Sequence, residues 1–164
     1  MLQRVRDDRD GGGETGDSVR VIPDAMQDKL IALSEIAARG RCQVHREGPS
    51  RAIAELPDPE NNTRLPQELC QLVKGSAVIG GREVANDEDF AVGKRVALDC
   101  IPATRRKLLD ELILGKDVSM ALGIPHSTKA LVAEDLEALG LVQDGMLSDH
   151  AAEYLTTAGI LPVE

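Results

Sequence analysis

Residues 124–148 read IPHSTKALVAEDLEALGLVQDGMLS, and this stretch decides the fold of the C-terminal third. Thr128, Val132, Leu136 and Leu139 recur on one helical face, which predicts a helix over 127–139 after the turn Ile124-Pro125-His126. Beyond Gly140, Leu141-Val142 and Met146-Leu147 are short apolar pairs flanking Asp144-Gly145. Asp-Gly suits the two positive-φ positions of a type I′ turn, so the pairs are expected to form a hairpin. With that stripe buried, Ser127, Ala130, Leu131, Glu134 and Glu137 fall on the outer side of the helix.

Helices are expected on either side of this stretch. Upstream, Pro102 suits a first helical turn, Leu108, Leu109, Leu112 and Ile113 form an inward stripe, and Gly115 closes the run. Asp117 is placed to cap a short helix, VSMALG. Downstream, HAAEYLTTAGI forms a last helix with Ser148 or Asp149 as cap, Ala152, Leu155 and Ala158 inward, and Gly159 as terminator. In this order, residues 103–160 resemble a winged helix-turn-helix domain with helix 127–139 as its recognition helix. That resemblance implies DNA contacts from the helix N-terminus. Its candidate residues here are Ser127, Thr128, Lys129 and Leu131, with Arg105, Arg106 and Lys107 as the only compact basic cluster.

The charge pattern works against a tight DNA binder. The chain of 164 residues carries a formal charge of −9, and strong phosphate affinity needs Lys and Arg to displace counterions. From 103 to 164 there are five basic and ten acidic residues, a net of −5. Positions 130 and 131, often basic in comparable winged domains, are Ala and Leu. The hairpin also lacks a Lys or Arg for the minor groove. Aromatic base-stacking platforms are excluded, because Phe90 and Tyr154 are the only aromatics.

The rest of the chain is expected to be helical. Residues 1–20 read as a charged, glycine-rich lead-in; their GGGETGDS, 11–18, fits GxxxxGKS/T except that Asp17 replaces the lysine. An aspartate there would repel phosphate, and no strand precedes it, so the match is treated as chance. Asp24, with Gln27 three residues on, is the expected capping box of a first helix. That helix buries Met26, Leu30, Leu33 and Ala37 and ends at Gly40. Residues 41–56 alternate weakly, leaving strand and helical turn both open, and DPENN is a loop. A second helix runs from Arg64 to Gly80-Gly81 through Leu69, Leu72, Val73 and Ala77. Asn86 caps a third, with Phe90, Val96, Ala97 and Cys100 inward. Its first turn, Asp87-Glu88-Asp89, suits the positive end of the helix dipole; a metal cluster is the less economical reading.

Residues 57–112, with a helix starting near an arginine, then Gly81-Arg82-Glu83-Val84 leading to the acidic run Asp87-Glu88-Asp89 and two further helices, resemble the C-terminal lid of AAA+-type ATPases. The resemblance implies that Arg64 touches a nucleotide phosphate. No Walker lysine or magnesium-binding Asp-Glu strand accompanies it, so the chain is expected to be a remnant or detached portion that cannot hydrolyse ATP alone.

The architecture expected from the sequence is therefore mainly α. A lead-in, 1–20, precedes a lid-like helical region, 21–101, and a winged helix-turn-helix, 102–164. Cys42, Cys70 and Cys100 are isolated and read as reduced structural thiols in a cytoplasmic protein. No segment reaches the roughly 18 apolar residues of a membrane span. No catalytic triad, metal set or cofactor is expected. Two functional readings stay open: a DNA-associated or regulatory module, weak and salt-sensitive, acting beside an ATPase subunit or as a homodimer, and a protein-interaction module using Ala130 and Leu131.

Overall fold

The computed structural model describes residues 21–48, 50–55, 57, 63–120 and 123–162. The lead-in with its GGGETGDS stretch, the DPENN loop and residues 121–122 of VSMALG lie outside them. The first helix, α1 (Asp24–Arg41), presents Leu30, Leu33, Ile36 and Ala37 to the interior, and these are all but inaccessible to solvent. It packs on α2 (Arg64–Ile79), on α3 (Asp87–Asp99) and, equally, on α6 (Asp149–Thr157). Between them α4 (Ala103–Ile113) lies against α5 (His126–Ala138) and against a two-stranded hairpin, β1 (Val142–Gln143) and β2 (Met146–Leu147). The protein is mainly α, with this small antiparallel sheet.

The core is aliphatic and continuous. Leu69 and Val73 of α2, Leu108 of α4, Leu136 of α5 and Leu155 of α6 join one cluster around α1. It therefore runs through the boundary expected at 101/102. Each leucine withdrawn from water contributes about 2 kcal/mol, so α1, touching both halves, organises the molecule more than α5 does. No helix among the described residues is long and apolar enough to cross a membrane.

Three local expectations are corrected by packing, and one choice left open is decided. Pro23, not Asp24, stands at the N-cap of α1; Gln27 instead donates from Nε2 to the Ile22 carbonyl at 3.0 Å. Gly40 does not end α1. It lies inside the last turn, where a Cβ would meet Ile101 side-chain atoms at 2.9–3.1 Å, so close helix approach is what glycine permits there. Val96 is exposed, and the inward face of α3 is Asp89, Gly93, Ala97 and Leu98. Of the ambiguous 41–56 segment, the described residues 42–48 and 50–55 form a narrow ribbon: Arg46 and Ile53 form an antiparallel bridge, closed by Glu47 N–H to the Ala52 carbonyl at 2.9 Å.

Asn86 caps α3 as expected. Its side chain accepts from the Glu88 and Asp89 amides, while the Asp89 carboxylate accepts from Asn86 N–H at 3.0 Å, a reciprocal capping box. Asp89 does more than meet the dipole. It is fully buried and also accepts from Ser76 Oγ (2.7 Å) and from Arg82 Nε (3.1 Å) and Nη2 (2.6 Å), joining α2 to α3.

Candidate functional site

Helix α5 starts at His126, one residue earlier than the periodicity placed it, because Pro125 takes the N-cap position and its carbonyl accepts from Lys129 N–H at 2.8 Å. No side chain caps this end, so the amides of its first turn have no side-chain acceptor. Val132, Ala133 and Leu136 face the core, and Leu139 follows them. Gly140, at φ 70°, ends the helix: its N–H reaches the Glu137 carbonyl and Leu141 N–H the Leu136 carbonyl, both at 2.9 Å.

That reversal sends Leu141 and Val142, both buried, into the hairpin, whose register pairs Val142 with Leu147 and Gln143 with Met146. Asp144 (φ 51°) and Gly145 (φ 77°) form the tip, as a type I′ turn requires. Ser148 fastens both ends of the hairpin. Its Oγ donates to the Gly140 carbonyl at 2.8 Å and accepts from Ala151 N–H at 3.1 Å, capping α6.

The short element between α4 and α5 is a 3-10 turn, Val118–Met120. Val118 N–H donates to the Gly145 carbonyl at 2.9 Å, so this turn is tied to the hairpin tip. Between the turn, the hairpin tip and the first half of α5 lies an open groove of about 570 Å³. Val118, Ala130 and Gly145 form its apolar lining; Asp117, Asp144, His126 and Lys129 line it with charge and polarity. Lys129 Nζ donates across it to the Ser119 carbonyl at 3.2 Å, and Ser119 Oγ donates to the Asp117 carboxylate.

The residues picked out from sequence do not form one patch. Arg105 turns inward: its side chain is 11% exposed, and it donates to the carbonyls of Gly40 (3.1 Å) and Cys42 (2.6 Å) and to Asp135 (3.0 Å). Arg106 pairs with Asp110 on its own helix at 2.7 Å. Lys107 reaches the Gly123 carbonyl at 2.9 Å, beside the turn into α5. Ser127 is exposed and Thr128 half-buried, so Thr128 belongs to the margin of the core stripe. Lys129 lines the groove, and Leu131 is half-buried. Arg64 stands far from all of these, exposed on the first turn of α2 and paired with Glu68 at 2.7 Å.

The sequence reading missed the residue that dominates the second half of α5. Arg46, from the 42–55 ribbon, lies across this helix. Its guanidinium donates to Asp135 Oδ1 from Nη2 (2.7 Å) and Nε (3.1 Å), to Glu134 Oε2 (2.9 Å), to the Leu131 carbonyl (3.0 Å) and to the Arg51 carbonyl (2.6 Å). Burial alone would lower the pKa of this guanidinium. The hydrogen bonds to Asp135 and Glu134 outweigh burial and hold it above the ordinary arginine value. Arg105 completes the cluster on the other Asp135 oxygen, so two arginines face two carboxylates. A signal was present: Cys42, Val44 and Arg46 alternate with exposed Gln43, His45 and Glu47, which puts Arg46 on the protein-facing side of the ribbon.

The three histidines stand on separate elements, His45 on the ribbon, His126 at the start of α5 and His150 edge-on to Tyr154 at 4.6 Å. Among the described residues no three His, Cys, Asp or Glu side chains meet in a group able to hold a metal ion. No known protein family matches the chain, and neither a curated protein nor a solved structure does.

Proposed function

We propose that residues 103–160 form a winged helix-turn-helix module that acts without catalysis, by docking a protein on the outward side of α5. The observation that carries this reading is how the basic side chains near α5 are used. Arg46 and Arg105 are engaged with Asp135 and backbone carbonyls, and Arg106 with Asp110. The surface left outward on α5 is Ser127, Ala130, Glu134 and Glu137, with the groove of mixed apolar and charged lining beside Ala130. Such a surface repels a phosphate backbone and suits a polypeptide.

DNA association is the second reading. It is favoured by the first turn of α5, where Ser127 is exposed on an uncapped helix N-terminus and Lys107 lies beside the preceding turn. The lid resemblance of 57–112 adds an ATPase subunit as a partner class, because Arg64 is 89% exposed and reachable by a nucleotide bound to another chain.

The two main readings separate in one titration. Under the protein-docking reading, mobility-shift assays on random duplex DNA at low salt give no shift. A photo-cross-linker at position 130 gives a discrete protein adduct in cells, which Ser127→Arg alongside it diminishes. A shift that weakens with salt and is lost in an Arg106→Ala, Lys107→Ala double variant would transfer the function to DNA.

A further inference from the structure

The 42–55 ribbon contributes no fully buried side chain among its described residues. Val44 and Ile53 are half-buried, and Gln43, His45, Glu47, Ser50, Arg51, Ala52 and Ala54 are exposed. Apolar burial therefore holds it weakly; Arg105 holds its base at the Cys42 carbonyl, and the anchor over α5 is Arg46, with four donor contacts to three residues of that helix. The ribbon is pre-shaped around that anchor. Glu47 N–H and Ala54 N–H close it across to the Ala52 and His45 carbonyls, and Arg51, at φ 54°, turns its carbonyl onto the guanidinium. What Arg46 covers is the α5 face made by the Leu131 carbonyl, Glu134 and Asp135. Segments with few buried apolar contacts open at a lower free energy than the core they lie on.

We propose that this ribbon is a displaceable cover, and that the partner docks on α5 with an extended, arginine-bearing segment that replaces Arg46. The proposal rests on the protein-docking reading and names the partner's chemistry. The face beneath the ribbon presents two carboxylates and a helix carbonyl at the spacing a guanidinium fills, because a guanidinium already fills it. Its planar donor fork matches such an acceptor set, whereas a lysine offers a point charge. Uncovering the face exposes acid, which excludes nucleic acid as the occupant. Leu131, half-buried beside the carboxylates, supplies an apolar contact for the residue flanking the incoming arginine.

The test uses the full chain and a fluorescein-labelled synthetic peptide of residues 42–55 as the arginine-bearing probe. A cover attached in cis competes at the high effective concentration of a tethered group, so the Arg46→Ala chain should bind the peptide about tenfold or more tighter than the wild type. The same peptide carrying Arg46→Ala should bind neither chain. Equal binding to both chains, or binding that ignores the peptide's arginine, overturns the proposal. If the Arg46→Ala chain loses its helical circular dichroism, hydrogen exchange on the wild type decides. The amides of Glu47 and Ala54 should then exchange well before those of α5 and α1. Exchange of the ribbon only on global unfolding overturns it. An adduct at position 130 with no peptide binding removes the arginine cover while leaving the protein-docking reading in place.

Discussion

Two arginine–aspartate centres hold this protein together, and they differ in reach and depth. At Asp89 the donors are Ser76, Arg82 and Asn86, all within 13 residues of the acceptor. The carboxylate is fully shielded from solvent and welds α2 to α3. At Asp135 the donors are Arg46, 89 residues away, and Arg105, 30 residues away. That carboxylate is 18% exposed and fastens a surface ribbon to α5. The same chemistry therefore serves as a core weld in one place and a surface clasp in the other. What separates them is how much apolar structure rests on each.

Asp89→Ala should have the largest effect. It strands the Ser76 hydroxyl and the Asn86 amide, and leaves Arg82 with its longer contact to Glu88 (3.4 Å), between two helices whose approach is already tight. There a Cβ on Gly93 would meet Val73 Cγ2 at 2.8 Å. Breaking a buried pair from one side costs about 3 kcal/mol or more, which urea denaturation followed by helical circular dichroism would read. A loss no larger than that of Arg46→Ala would erase the distinction between weld and clasp.

Acid sharpens the same comparison. The Arg82 guanidinium, hydrogen-bonded to Asp89, holds the carboxyl down from 3.8 to about 2; burial opposes this, and Ser76 and the Asn86 N–H assist. Because the folded value lies below the unfolded one, the stability from this centre is complete above pH 3.8. It is lost as the pH falls through about 2. Wild-type unfolding free energy should decline across that window, and Asp89→Asn should flatten the decline. An identical slope in the two proteins would assign acid sensitivity elsewhere.

Arg46→Ala should cost less, about 1 kcal/mol, since the ribbon it releases carries no fully buried side chain among its described residues and Arg105 still neutralises Asp135. Its effect is local. Amide exchange should quicken at Glu47 and Ala54 while α1 keeps its protection. Loss of protection throughout α1 would mean that the clasp is part of the weld.

How far each centre could be read from the sequence follows from this difference in reach. Asn86 and Asp89 form a pattern four residues long, and the α5–hairpin stretch announces itself through periodicity, Asp144-Gly145 and Ser148, all local signals. Arg46–Asp135 spans most of the chain, and nothing near Arg46 names its acceptor. Gly40 misleads for the same reason: beside a helix end it looks like a terminator, yet its role is set by Ile101 on a distant segment. Arg105, Arg106 and Lys107 looked like one patch because they are adjacent. Consecutive helical residues point about 100° apart, so one cation enters the core, one stays on its own helix and one reaches the turn before α5.

Arg64→Ala should have the smallest effect on stability. The pair with Glu68 is exposed on both sides and belongs to the i,i+4 class, which contributes about 0.3–0.5 kcal/mol. A cation in the first turn of α2 also faces the positive end of the helix dipole, an unfavourable term of similar size. The two nearly cancel, so the thermal midpoint should hold within about 2 °C, less than a 1 kcal/mol change would produce. That neutrality makes the variant informative about the lid resemblance. If Arg64 serves a nucleotide held by an ATPase subunit, its replacement leaves folding intact and weakens only nucleotide-dependent association between the chains. A marked drop in the midpoint would instead make Arg64 a structural residue, and α2 would then contain a third centre of the Asp89 kind.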